Sequence, residues 1–223
     1  MTVKLFFEAI IKFFLGVILV GLFIFIPVGT INYLNGIIFM IVLFVPMFIA
    51  GILMMIFNPK LLAARLNAKE KQKEQSIVIK LSGLMFIAGF VIAGLDYRLN
   101  WFKLPIIVTY IASIIFIIGY IIFAEVLREN TYLSRTIKVD KDQQLIDKGL
   151  YGIVRHPMYF ATILMFISMP LILGSIFSFI IFLIYIPLIA IRAVNEEKVL
   201  EKELNGYTEY KKKVKYRIIP FIW

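Results

Sequence analysis

Long apolar runs separated by short polar stretches dominate the chain of 223 residues. A helix that crosses the hydrocarbon core of a bilayer needs about 20 consecutive, mostly apolar residues. Runs of that length predict four transmembrane helices, near residues 5–26, 37–57, 77–95 and 104–127. The first run is longer than the apolar core of a signal peptide, about 7–15 residues, and no small-residue cleavage site follows it, so we interpret it as a retained helix.

A fifth apolar stretch, residues 160–191, is too long for one span. Pro170, Gly174 and Pro187 interrupt it, and both residue types weaken a continuous helix. We therefore predict a tight helical hairpin, either fully spanning or partly re-entrant, that returns to the side of the membrane from which it starts. The predicted fold class is an all-α integral membrane protein with four transmembrane helices and a C-terminal helical hairpin.

Composition agrees with a membrane protein, because 61% of the residues are hydrophobic against roughly 45–50% in soluble domains. No internal repeat and no Gly/Ser-rich or Pro-rich linker divides the chain. We therefore expect a single domain, residues 1–223, with the four spans in 1–127. Residues 128–223 then hold a polar segment, the hairpin and an amphipathic tail.

The chain contains no cysteine and one histidine, His156. The absence of cysteine excludes disulfides, thiolate metal ligands and cysteine nucleophiles. Zinc and iron centres usually draw on several imidazoles or thiolates, so we expect no metal centre, although carboxylates alone could hold magnesium. A Ser-His-Asp triad would have to use His156 as its base. We disfavour this interpretation, because His156 precedes a proline and no nucleophile-elbow glycines lie nearby.

Most lysines and arginines, which give a formal net charge of +10, fall in residues 60–80, 128–155 and 192–217. The positive-inside rule then places both termini, the 58–76 loop and the 128–159 segment in the cytosol. Basic residues at a membrane also attract anionic headgroups, by about 1 kcal/mol each. We favour that partner over nucleic acid, and the heavy use of Ile and Lys without Cys indicates a prokaryotic plasma membrane.

The decapeptide YGIVRHPMYF, residues 151–160, concentrates the histidine, an arginine and two tyrosines. Its proline pre-sets a helix start. On its own the segment is typical of a turn whose Arg155 and His156 face the headgroups. The predicted hairpin, however, brings it against the polar block 192–217, which makes a functional site at the cytosolic face the alternative interpretation.

The polar block begins with RAVNEE, in which Arg192 and Glu196 share one helix face and Glu197 turns about 100° away. This spacing alone is typical of a solvated helix end with a snorkelling arginine. An ionisable cluster that faces another polar motif in a membrane protein indicates a functional site. Further on, EYKKKVKYR, residues 209–217, predicts a basic amphipathic segment lying on the headgroups.

GLYGIVRHPMY (149–159) and RAVNEE (192–197) together resemble the isoprenylcysteine carboxyl methyltransferase family. Its members are integral-membrane, S-adenosylmethionine-dependent enzymes, and phospholipid methyltransferases are close relatives. Weaker support comes from Leu200, Tyr207, Tyr210, Val214 and the RIIP sequence at 217–220. The resemblance covers the C-terminal part of the chain, and the N-terminal spans match only as hydrophobic segments.

The resemblance implies that S-adenosyl-L-methionine is the cofactor. The family's His-Pro-x-Tyr segment, a preceding tyrosine and the first glutamate of Arg-x-x-x-Glu-Glu hold it, which assigns to the cofactor His156, Pro157, Met158, Tyr159, Tyr151 and Glu196. A stretch that is commonly His-x-Leu-Val falls on Gln143, Gln144, Leu145 and Ile146, so that Gln143, Leu145 and Ile146 join this set. Gln143 keeps hydrogen-bonding capacity but lacks the imidazole.

The resemblance also implies that Arg192 faces the substrate, as a substrate-binding and catalytic residue. A planar guanidinium can bind a carboxylate or phosphate at two points. A carboxylate acceptor needs no general base, whereas an amine acceptor does, and Glu197 is the nearest candidate for that catalytic role. The glycine usual two residues after the motif tyrosine is Ala161 here.

Methyl transfer from a sulfonium mainly requires alignment of donor and acceptor and exclusion of water, without a metal. We therefore expect a cofactor pocket at the cytosolic face. The acceptor would be lipophilic, either a prenylcysteine-like carboxylate or a lipid headgroup, reached among membrane lipids. Two alternatives stay open: a non-enzymatic membrane protein, or an NADPH-dependent membrane reductase of the sterol-reductase type. Sterol reductases share an Arg-His-Pro-x-Tyr turn but carry several more spans.

Overall fold

A computed structural model describes residues 2–67, 73–133, 139 and 143–223, apart from the side chains of 73 and 74. Every regular element in these ranges is helical. The helices are α1 (Val3–Val28), α2 (Leu34–Phe57), α3 (Pro59–Leu66), α4 (Lys73–Leu99), α5 (Ile106–Glu129), a 3-10 turn (Gly149–Gly152), α6 (Pro157–Ile172), α7 (Ile176–Phe182), α8 (Tyr185–Glu203) and α9 (Tyr207–Lys213). Parts of the predicted loops 58–76 and 128–159 lie outside the described ranges.

Five helical segments of the described chain are long and apolar enough to cross a membrane. They are Val3–Val28, Leu34–Phe57, Gln75–Leu99, Ile106–Glu129 and Ile176–Glu203, the last of which joins α7 to α8. Exposed Ile, Leu and Phe side chains cover their outer surfaces, as contact with lipid tails requires. The first four segments coincide with the predicted spans, so the expectation of an all-α integral membrane protein is confirmed.

The third span continues beyond its predicted end at residue 95 because the next residue, Asp96, is only 2% exposed and satisfied inside the protein. Its carboxylate accepts hydrogen bonds from the Phe102 backbone N–H (3.0 Å) and the Ser175 hydroxyl (2.6 Å). Because these two hydrogen bonds offset the cost of burying the Asp96 carboxylate, the residue does not have to lie in water, and α4 extends to Leu99.

The predicted hairpin consists of α6 followed by α7 and α8. Gly174 forms its turn at φ +75°, a left-handed conformation that glycine adopts without strain. The first arm, α6, has 16 residues and is therefore about 24 Å long, shorter than the roughly 30 Å hydrocarbon core. The returning arm, α7 with α8, is longer than α6, so the C-terminal end of α8 extends beyond the start of α6.

Helix α3 falls within the predicted 58–76 loop, although a local signal for it exists. The Asn58 side chain accepts a hydrogen bond from a backbone N–H of the first turn (3.1 Å), and Pro59 occupies the first helical position. The Arg65 guanidinium lies over the Phe123 ring of α5, 5.2 Å from its centroid, and its Nη1 lies 3.8 Å from the Met158 sulfur. Helix α3 therefore packs beside the start of α6.

Helices α5 and α6 form the most extensive helix contact of the bundle. Ala161 of α6 is fully buried and faces Gly119 of α5. A methyl group on Gly119 would lie 3.1 Å from the Ala161 carbonyl oxygen and 2.7 Å from Cγ of Met165. The glycine that allows close approach is thus on α5, and this contact fixes the start of α6 against the end of α5.

Candidate functional site

The hairpin brings the two polar motifs together, as its geometry predicts. Arg155 Nε donates to Glu197 Oε1 at 2.7 Å, and His156 Nε2 lies 3.3 Å from the same oxygen. His156 Nδ1 is 3.6 Å from Glu196 Oε2. The residues just before α6 therefore meet the end of α8 at one end of the bundle, which we call the site end.

A cavity opens at the site end, with an empty volume of about 760 Å³ that includes the space at its mouth. The end of α5, residues 143–159, α8 and α9 enclose it. All nine residues predicted to bind the cofactor line it: Gln143, Leu145, Ile146, Tyr151, His156, Pro157, Met158, Tyr159 and Glu196. Their cofactor-binding roles stay predictions, but a single cavity brings them together.

Glu197 lies behind this cavity wall, only 2% exposed. Its Oε1 faces Arg155 and His156, and its Oε2 accepts from Arg217 Nε at 3.0 Å. A general base needs an oxygen directed at the acceptor. Because both oxygens are held by cationic or imidazole partners of the protein, the geometry favours a positioning role for Glu197 over the predicted general base.

Arg155 connects the turn before α6 to the C-terminal segment. Its Nη1 donates to the carbonyl oxygens of Val214 (2.7 Å) and Lys215 (2.8 Å). Its backbone N–H donates to the Tyr216 carbonyl oxygen at 3.0 Å. Arg155 is 7% exposed and His156 6%, so the interpretation in which both face the headgroups is wrong.

The C-terminal segment is amphipathic, but its apolar face does not lie on the headgroups as predicted. Leu204, Tyr207, Tyr210 and Val214 form a buried cluster with Val139, Leu145 and Leu200. The side chains of Lys212 and Lys213 remain 69% and 71% exposed on the opposite face. The apolar face therefore covers the cavity, because burial of two tyrosines against protein removes more apolar surface from water than an interfacial position would.

Tyr159 joins the cavity to Arg192, which does not line it. The Tyr159 hydroxyl donates to Glu196 Oε2 and accepts from Arg192 Nε at 3.1 Å. The His156 ring stacks on the Tyr159 ring, with centroids 5.3 Å apart and planes 16° apart. The residue predicted to face the substrate is thus one hydrogen bond away from the residues predicted to hold the cofactor.

The end of α5 builds the opposite wall of the cavity, through residues that the sequence analysis did not select. Asn130 Nδ2 donates to the Tyr151 hydroxyl at 3.0 Å, and the Glu129 carboxylate accepts from the Leu150 backbone N–H at 3.0 Å. Gly149 stands beside this carboxylate at φ +58°. Only their position in the sequence could have indicated these residues, because Glu129 and Asn130 come just after the predicted fourth span, 104–127.

Five tyrosines line the cavity: Tyr132, Tyr151, Tyr159, Tyr207 and Tyr210. Burial is the main cause that raises the pKa values of Tyr151, Tyr207 and Tyr210 above the ordinary phenol value. These three phenols are therefore neutral near pH 7. They offer ring faces and neutral hydroxyls to a ligand.

The fixed charges of the described cavity lining are Glu196 and Arg155. The guanidinium of Arg155 is already engaged by Glu197 and two carbonyl oxygens. In the part of the chain that the structure describes, no three histidine, aspartate or glutamate side chains are grouped to hold a metal ion. The described lining therefore offers a ligand one carboxylate and several phenols, beside a guanidinium whose Nε and Nη1 already donate to the protein.

The part of the chain that builds this site is similar to known membrane enzymes. Residues 107–205 match the sequence model of the phospholipid methyltransferase family, from α5 to just past the end of α8. A stretch of 121 residues is 31% identical to the Delta(14)-sterol reductase TM7SF2 of Mus musculus, covering 48% of this chain and 29% of that protein. The chain thus spans less than a third of the length of the curated relative it matches. The narrower resemblance to isoprenylcysteine carboxyl methyltransferases stays a prediction.

Proposed function

We propose that this protein is an S-adenosylmethionine-dependent methyltransferase that modifies a lipophilic acceptor. The observation that carries the proposal is the chemistry of the cavity, which is lined by Glu196 and five tyrosines. The guanidinium of the described lining, that of Arg155, is engaged by Glu197. The match of residues 107–205 to phospholipid methyltransferases supports the same class.

The residues present fit the cofactor. S-adenosylmethionine, when bound, supplies a methyl group carried on a sulfonium cation. Glu196 can accept hydrogen bonds from ribose hydroxyls or the ammonium group, and the tyrosine faces can stabilise a cation. His156 and the backbone near Pro157 contribute further polar contacts at the wall. Because α9 covers one side of the cavity, it would shield the reacting atoms of cofactor and acceptor from water.

Arg192 supplies the acceptor side of the proposal. Its guanidinium would orient an anionic acceptor, a prenylcysteine-like carboxylate or a lipid phosphate, on the far side of the Tyr159 hydroxyl. Glu197 would hold Arg155, His156 and Arg217 in place without touching the acceptor. We further propose that the site end and both termini face the cytosol of a prokaryotic plasma membrane, because the basic loops lie at that end.

A reductase is the second candidate, because the matched mouse protein is a sterol reductase by name. NADPH carries several phosphate groups, which require cationic or backbone N–H partners. The described lining offers Arg155 for this purpose, and that guanidinium is engaged by Glu197, Val214 and Lys215. The charge of the described cavity lining therefore favours a sulfonium over a polyphosphate.

Ligand binding to the purified protein in lipid nanodiscs tests the proposal. We expect S-adenosylmethionine and S-adenosylhomocysteine to bind, and Glu196→Ala and Tyr159→Ala to weaken both while the protein stays folded. Glu209→Ala is the matched control, because that carboxylate is 75% exposed and bonded to Lys212. Binding of NADPH alone would establish the reductase, and binding of neither would leave a non-enzymatic membrane protein.

The acceptor class is tested separately with a lipid extract and a methyl-labelled donor. The proposal expects label in the lipophilic fraction with the wild-type protein and much less with Glu196→Ala. Label that stays wholly in the water-soluble fraction would contradict a lipophilic acceptor.

A further inference from the structure

The cavity contains a buried hydroxyl that the motifs do not assign. Tyr207, the first residue of α9, lines the cavity and is 3% exposed. Its hydroxyl oxygen is shielded from solvent and has no hydrogen-bond partner among the residues that the structure describes. A buried hydroxyl without a partner destabilises the protein, and native proteins pair nearly all such groups.

Neighbouring cavity tyrosines show that this state is unusual within the site. The Tyr210 hydroxyl, three residues along the same helix, donates to the Tyr151 carbonyl oxygen at 2.7 Å. The Tyr151 hydroxyl accepts from Asn130, and the Tyr159 hydroxyl bonds to Glu196 and Arg192. Tyr207 thus differs from these three in lacking a partner within the described part of the protein, although its side chain is equally well buried.

The surroundings of Tyr207 indicate what kind of group would pair with its oxygen. After burial, the carboxylates of Glu197 and Glu196 contribute most to raising the pKa of this phenol, and Arg155 opposes them. The net field at the hydroxyl is therefore that of nearby negative charge. Such a field favours a ligand group that brings a polar hydrogen, such as a hydroxyl or an ammonium, over a ligand carboxylate or phosphate.

We propose that Tyr207 is a further ligand-binding residue, whose hydroxyl oxygen accepts a hydrogen bond from a ribose hydroxyl or the ammonium group of S-adenosylmethionine, beside Glu196. This inference rests on the proposed function, since it names one more residue of that site. A ligand donor at this oxygen gives the hydroxyl its missing partner. In the unliganded protein, the Tyr207 hydroxyl oxygen is thus available to accept a hydrogen bond from the ligand.

The test compares Tyr207→Phe with Tyr210→Phe in nanodiscs, using S-adenosylhomocysteine as the probe. Both variants remove one hydroxyl from the same helix and keep the ring. Tyr207→Phe should raise the Kd of the probe roughly 2- to 12-fold, the range expected for one lost hydrogen bond. The melting temperature of unliganded Tyr207→Phe should equal or exceed that of the wild type, whereas Tyr210→Phe should melt lower because it loses a formed bond.

The results separate this inference from the function on which it rests. If the wild type does not bind the probe, the proposed function fails together with the inference. If the wild type binds and Tyr207→Phe binds with the same Kd, the inference alone fails. A melting temperature of unliganded Tyr207→Phe as low as that of Tyr210→Phe would also overturn it, because the hydroxyl would then have a partner in the protein.

Discussion

Replacement of Glu197 by glutamine separates a structural carboxylate from a catalytic one. Glu197→Gln preserves side-chain shape but removes the charge that Arg155, His156 and Arg217 share. If the carboxylate holds the turn before α6 against α8 and the C-terminal segment, the change should lower stability first. If it is a general base, the change should lower turnover with stability intact.

The expected magnitude follows from burial. Removal of one partner from a buried ion pair costs about 3–5 kcal/mol, because the other charge is left uncompensated. Arg155 keeps the Val214 and Lys215 carbonyl oxygens, and glutamine still offers one carbonyl acceptor. We therefore expect the lower end of that range, about 3 kcal/mol. For a chain of this size this corresponds to a drop of about 6–12 °C in Tm.

The assay is thermal unfolding of the protein in nanodiscs, paired with the Kd for S-adenosylhomocysteine on the fraction that stays folded. Glu196→Gln is the adjacent control, since the Glu196 side chain is 21% exposed and faces the cavity. It should weaken binding with a small change in Tm. The double variant Arg155→Met, Glu197→Met should lose less stability than the two single changes added together, because the Arg155–Glu197 pair is removed as a whole and, of the arginines bound to Glu197, only Arg217 loses its partner.

One result would refute this reasoning. A Glu197→Gln protein with the Tm of the wild type and almost no methyl transfer would show that the carboxylate acts on the acceptor.

Three further predictions concern the backbone, the acceptor side and the topology. Gly149→Ala should destabilise the protein by about 2 kcal/mol or more, since a methyl group at φ +58° would collide with the Glu129 carboxylate. In Gly152→Ala the methyl group meets its nearest atom at 3.4 Å, so this control should have a mild effect in thermal unfolding. Arg192→Lys should reduce methyl transfer while the Kd for the cofactor stays near that of the wild type. Equal amounts of methylated product from both proteins would show that Arg192 only anchors its helix at the membrane surface. Reporters fused before the first residue and after Trp223 should indicate the same, cytosolic side, and opposite sides would contradict the topology.

The spans and the meeting of the two motifs could be predicted because each depends on a short-range signal. Apolar length identifies the four spans, and the interruption at Gly174 identifies the hairpin. The predicted interruptions at Pro170 and Pro187 were wrong, because these prolines lie inside α6 and α8. A hairpin must return its end to its start, so contact between RHPMY and RAVNEE follows from topology without knowledge of any side-chain position. Helix boundaries were less accurate, because a residue such as Asp96 ends a span only if no partner is available inside.

The rest of the site depends on contacts that no local pattern reveals. The amphipathic pattern of the C-terminal segment shows which face of α9 is apolar, but not whether lipid or protein covers it. The partnership of Arg217 with Glu197 joins residues twenty positions apart, across the end of α8, the turn after it and the whole of α9. Helix α3 has only eight residues, too few for periodicity to distinguish it from a loop, so its cap was the one available sign.

Two adjacent glutamates at the end of α8 illustrate how one helix divides these tasks. Successive side chains on a helix point about 100° apart, so two neighbouring residues cannot share one environment. Glu196 therefore faces the cavity and the Tyr159 hydroxyl, while Glu197 faces the interior and its cationic partners. The buried carboxylate fixes the rotation of α8 and the position of the turn before α6, and this in turn sets where its neighbour stands. The proposed recognition of the ligand by Glu196 thus depends on the ion-pair network around Glu197.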